Sequence, residues 1–129
     1  LLLDERKLLV ARRASHERHA GTWEFPGGKL ECNETFQQAI VREIEEEFGW
    51  LVSAQSSIGT WHHELPEVTI ELDVLMCEFV GVVPSFILSP RWTSHDSVEW
   101  HTYESSKALD FTGSDRQVVE RLKELDLID

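Results

Sequence analysis

The chain has 129 residues, 41% of them hydrophobic, which supports one compact domain with its own core but not two. Its 24 acidic against 12 basic residues give a formal net charge of −12. Such a surface repels nucleic-acid phosphates and argues against duplex binding, while a small phosphorylated ligand remains compatible where acidic groups hold metal ions.

In chain order, LLLDERKLLVARR reads as two apolar runs around the charged turn Asp4–Arg6, a hairpin or bulged strand pair. Its start, which lacks a methionine, fits a first strand with its beginning missing better than a targeting segment. ASHERHAG is polar and ends in Gly21, a loop, and TWEF is a short strand stopped by Pro26-Gly27-Gly28. From Asn33 the period changes. Phe36, Ile40 and Ile44, with Val41 and Phe48, recur at helical spacing, with Asn33 as the expected cap and Gly49 as the exit. SIGTWHH, VTIELDVLMCEFV and SVEWHTY follow as strands. The last helix, SDRQVVERLKEL, is expected to be capped by Ser114 and to turn Val118, Val119, Leu122 and Leu125 inward. Mixed strands with two separated helices predict an α/β (α+β) sandwich.

Cys32 and Cys77 stand in unrelated contexts without metal-ligand spacing, as expected for reduced thiols in a cytoplasmic protein. No apolar run approaches membrane-spanning length, so no membrane partner is expected.

Four of the five residues from Glu43 to Glu47 are glutamates. Glu43, Glu46 and Glu47 share one helix face, and three convergent carboxylates suit a hard cation such as Mg²⁺ or Mn²⁺. The glycine pair Gly27-Gly28 lets a backbone carbonyl approach the same place. A solvated acidic helix face is the other reading, and composition leaves both open.

The wider spacing carries more. Gly28, Glu34, Arg42, Glu43, Ile44, Glu46, Glu47, Gly49 and an apolar Trp50 occupy every defined position of the Nudix box. The chain resembles the Nudix hydrolases. GTWEFPGGKLE and DRQVVERL look like the MutT branch of nucleoside triphosphate pyrophosphohydrolases, so the resemblance covers nearly the whole chain. It implies a single Nudix domain over residues 1–129, with the box at 28–50, folded as an α/β/α sandwich with a mixed sheet flanked by helices. It also implies Mg²⁺, with Mn²⁺ able to substitute, held by Glu43, Glu46, Glu47 and the Gly27 carbonyl. Glu34 and Arg42 would brace loop and helix, with Gly28 and Gly49 structural. Water would attack a phosphate, and Glu46, Glu47 or a carboxylate outside the box would accept its proton.

One departure from the family pattern concerns a loop glutamate, in whose place this chain has Ser94. Asp96, the better Mg²⁺ ligand, or His95 could replace it; otherwise both are ordinary loop residues and the base lies in the box. By the same resemblance Asp115 would contact the base, favouring cytosine or guanine, unless it serves only the helix dipole. Arg13 is the candidate for holding phosphates. Trp23 and Phe25 either stack on a base or belong to the core. His62 and His63 point to opposite strand faces and cannot easily share an ion.

The expected reaction is hydrolysis of a nucleoside triphosphate, oxidised or modified bases included, to the monophosphate and pyrophosphate, in a monomer or homodimer. The alternatives are cleavage of ADP-ribose, a dinucleoside polyphosphate or an RNA 5′ end, and a non-catalytic nucleotide-binding module.

Overall fold

The computed structural model describes residues 1–83 and 92–129. Its organising element is Lys7–Arg13 (β2), where Leu8, Leu9, Val10 and Ala11 are all fully buried. Successive strand residues face opposite sides, so four buried apolar neighbours require cover on both faces. β2 pairs antiparallel with Leu3–Asp4 (β1) and Trp23–Glu24 (β3), and along its length with His95–His101 (β6). The turn between β1 and β2 puts Glu5 and Arg6 at φ of 49° and 62°, the positive values that a two-residue hairpin turn needs. Arg6 offsets that strain by donating Nε to Asp129 Oδ1 and Nη2 to Asp126 Oδ1, each at 2.7 Å.

A second sheet consists of Val52–Glu64 (β4) and Thr69–Phe79 (β5), paired antiparallel with irregular register around Ser57. All strand pairs within the two sheets are antiparallel. The mixed character enters at parallel bridges, Leu2 with Cys77 at the seam between the sheets and Trp23 with Phe111.

The two covering helices are Phe36–Phe48 (α1) and Asp115–Glu124 (α3). α1 presses Ile44 and Phe48 onto Leu9 and Ala11, together with Trp50, Val52 and Trp92. α3 presses Val118, Val119 and Leu122 onto Leu8 and Val10 from the other side, together with Trp23, Val74 and Ile128. This is the α/β/α sandwich expected from the sequence. A one-turn helix, Tyr103–Ser106 (α2), takes the end of the segment read as the strand SVEWHTY.

Several local expectations are corrected. The cap of α1 is Thr35 rather than Asn33: Thr35 Oγ1 accepts from Gln38 N at 3.1 Å, and Gln38 Oε1 accepts from Thr35 N at 2.9 Å. That reciprocal pair satisfies two otherwise orphaned donors, while Asn33 sits at φ 64° in the preceding turn. Gly49 does close the helix, at φ 77°, donating to Glu45 O at 2.8 Å. Ser114 occupies the cap position of α3 but makes no side-chain capping bond. Leu125 is 40% exposed, and Ile128 fills the core in its place.

Replacing Thr35 with Ala should lower the unfolding free energy in urea by about 1 kcal/mol, whereas Asn33→Gly, which suits a positive φ, should change it little.

Candidate active site

The opening turns of α1 and the glycine loop before it are held together by Arg42. Its Nε donates to Glu34 Oε2 at 2.6 Å, and Nη2 donates to Glu34 Oε1 at 2.9 Å and to Lys29 O at 3.0 Å. Its Nη1 donates to Glu43 Oε1 at 2.8 Å and to Glu46 Oε2 at 3.1 Å. Glu34 also accepts from Glu31 N at 2.8 Å. The Arg42 guanidinium and this backbone bond hold the Glu34 carboxyl at about 2. Gly28 lies so close to the helix that an added Cβ would meet Glu43 side-chain atoms at 2.3 to 2.6 Å.

The three box carboxylates have different surroundings. Glu43 is mostly enclosed, Glu46 is 61% exposed, and both lean on Arg42. Glu47 is turned inward, and its Oε2 is buried with no hydrogen-bond partner. Burial pushes its carboxyl up to about 7, with Glu43 and Glu24 adding to the effect against His95 and Arg13. As they stand, no three acidic, histidine or cysteine groups among the described residues are gathered closely enough to chelate an ion. The donor set nevertheless fits a hard cation: oxygen ligands, one buried carboxylate oxygen left unsatisfied, and a glycine backbone against Glu43.

Beside these groups runs a cavity of about 270 Å³, lined by Glu24, Phe25, Gly27, Gly28, Asp73, Thr112 and Asp115 among others. Asp115, from the first turn of α3, accepts from Phe25 N at 3.3 Å. Burial raises its carboxyl to about 7 against that bond, with Glu24 contributing. A larger hollow of about 640 Å³ beside α1, lined by Gln37, Gln38, Val41, Arg42, Glu45, Glu46 and Ala54, is wide open. It lacks Glu24, Asp115 and the glycine loop, all of which line the smaller cavity, so the smaller cavity is the candidate substrate cleft.

The other expected site residues fall as follows. Phe25 lines the cleft, but Trp23 is a core residue, packed with Leu8, Val10 and α3 and met edge-on by His101 at 6.1 Å. Arg13 is already engaged: Nη1 donates to Glu24 Oε1 at 2.7 Å and Nε to Arg18 O at 2.6 Å. Asp96 is not brought to the carboxylates. It pairs with Arg12 Nε at 2.7 Å on the outside of β6, and its neighbour His95 is the one that points in. Glu24 is the residue that sequence reasoning passed over. Burial pushes its carboxyl up, but His95 and Arg13 beside it outweigh this and hold it below its usual range. A lone acidic residue between two aromatics in a short strand was the available signal.

A family model described as the NUDIX domain matches residues 1–122. The chain belongs to the Nudix family. It is 30% identical over 122 residues to the 8-oxo-dGTP diphosphatase of Escherichia coli strain K12, covering 95% of this chain and 90% of that protein. It is 29% identical over 114 residues to the CTP pyrophosphohydrolase of the same strain, covering 88% and 80%. The crystal structure of the MutT protein from Methanosarcina mazei Go1 superposes with a TM-score of 0.76 at 26% identity, over 98% of this chain and 90% of that one. Nudix hydrolases generally use a divalent metal. Among the described residues no helix is long and apolar enough to cross a membrane.

The raised carboxyls set a sign for pH dependence. Asp115 and Glu47 bind protons more tightly folded than unfolded, so their contribution to stability is full at low pH and is lost as pH rises through about 7. Urea melts of metal-free protein should show stability falling between about pH 5 and pH 7, with a shallower fall in Asp115→Asn.

Proposed function

We propose that this Nudix enzyme hydrolyses a nucleoside triphosphate to the monophosphate and pyrophosphate with Mg²⁺, for which Mn²⁺ can substitute. The observation that carries the reading is Glu47, with one buried carboxylate oxygen lacking a hydrogen-bond partner, on a helix whose Glu43 and Glu46 are braced by Arg42, near a cleft walled by Glu24 and Asp115. Glu43, Glu46 and Glu47 would hold the metal, with the Gly27 carbonyl as a further donor. When bound, the cation neutralises charge on the reacting phosphate and lowers the pKa of the attacking water.

The chain's own residues do the rest. Arg42 and Glu34 fix the glycine loop against α1, so the carboxylates keep their places when their charge is drawn to a ligand. Glu46 and Glu47 are the candidates for taking the water's proton. Asp115, in the cleft wall, faces the base. Ionised, it accepts from an amino group of cytosine or guanine; protonated, it donates instead. Relatives named for an oxidised guanine nucleotide and for CTP fit that range. The acidic surface favours a free nucleotide over duplex nucleic acid.

The test is an assay of purified protein with Mg²⁺ or Mn²⁺ against canonical and oxidised triphosphates, ADP-ribose and diadenosine polyphosphates. Pyrophosphate release from one triphosphate far above the others supports the reading, whereas cleavage of only the diphosphate-linked substrates moves the enzyme to another Nudix branch. Glu47→Gln should cut kcat by about 10² or more while the metal-free melting temperature holds or rises, because a buried unpaired carboxylate is removed. Unchanged turnover in both Glu46→Gln and Glu47→Gln would remove the metal assignment.

A further inference from the structure

Among the described residues, three buried side-chain atoms lack a hydrogen-bond partner, and they belong to two residues beside one another: Glu47 Oε2 and both ring nitrogens of His95. His95 is 3% exposed. Its ring stacks on Phe48, the residue after Glu47, with centroids 5.0 Å apart and planes 24° apart. Its Nε2 stands 3.9 Å from Glu24 Oε2, beyond hydrogen-bond length but close enough to help hold the Glu24 carboxyl below its usual range.

The sheet, not a free loop, fixes this position. His95 opens β6 opposite Arg13 of β2, and the backbone just before it is tied by Ala14 N donating to Ser94 O at 2.9 Å. Burying an imidazole with both nitrogens unsatisfied works against folding, and an apolar side chain would pack on Phe48 without that cost. A buried polar group left unsatisfied calls for an explanation, and service to the adjacent acidic site supplies one. Asp96 cannot share the role, because Arg12 holds it on the opposite side of the strand.

We propose that His95 is a positioning residue of the carboxylate site, whose ring N–H orients Glu47, in concert with Glu24, for metal ligation. It does not touch the substrate; it sets the direction of the carboxylate that touches the metal. The inference rests on the metal-binding reading above.

Mn²⁺ binding is measured by calorimetry, without nucleotide, for the unaltered protein, His95→Leu and His95→Gln, alongside melting temperatures in the absence of metal. His95→Leu is expected to melt at or above the unaltered protein, yet to bind Mn²⁺ about 10- to 100-fold more weakly. His95→Gln, whose amide nitrogen reaches the place of Nε2, is expected to recover most of that affinity. A residue needed only for packing would give the reverse: a lower melting temperature and unchanged affinity. Affinity within about twofold of the unaltered protein in folded His95→Leu overturns the inference while leaving the metal site standing. If His95→Leu does not fold, His95→Phe, which keeps a ring on Phe48, carries the same comparison. If the unaltered protein binds no Mn²⁺, the metal reading fails and this inference with it.

Discussion

Everything at the acidic end of this molecule depends on one guanidinium. A helix with glutamates at 43, 45, 46 and 47 carries like charges one turn apart, which repel. Arg42 answers this by meeting Glu34, Glu43 and Glu46 with a single planar group and adding the Lys29 carbonyl. A lysine, a point charge on a flexible stem, could not reach four acceptors in fixed directions. The same contacts clamp the glycine loop to the helix, which is why an added Cβ at Gly28 would displace the Glu43 side chain. Charge compensation and loop placement are therefore one interaction.

The helix is consequently divided. Toward Arg42 its acidic groups are satisfied and contribute to order. Toward the interior, Glu47 Oε2 and the His95 ring nitrogens are enclosed without hydrogen bonds and oppose folding. The cost is carried by the sandwich behind them, where β2 is sealed on both faces by α1 and α3. Local conflict with stability at one spot in an otherwise consistent structure is the usual mark of a functional site.

Much of this was legible in the sequence. The spacing of Phe36, Ile40, Ile44 and Phe48 gave the box helix, Gly49 its end, and the two apolar runs around Asp4–Arg6 the opening hairpin. Thr35 was readable too, since Thr-x-x-Gln is a capping pattern, but Asn33 offered an equally acceptable cap and only the backbone decided between them. Side-chain alternation says that His95 and Asp96 face opposite ways; which one faces in depends on the register of β6 against β2. Metal chemistry favoured the aspartate, and the register chose the histidine. Trp23 went to the core because α3, more than ninety residues along the chain, covers that face of β3. Neither outcome has a local signature, because both are set by pairing between distant segments.

The two sheets are unequal in support. β2 is buried along its centre, whereas β4 and β5 reach beyond the body toward a tip where Leu65, Val68 and Ile70 are exposed. The Leu2–Cys77 bridge anchors this ribbon at its inner end, and Leu72 and Asp73, between anchor and tip, form part of the cleft wall. By exposure, amide hydrogens at the ribbon tip should exchange with solvent through local fraying, and those of β2 only through global opening. The part of β5 that walls the cleft is its anchored half, with Val74 and Leu75 buried beside Leu72 and Asp73, so a nucleotide seated there rests on the fixed end of the ribbon and leaves the tip free to open on its own.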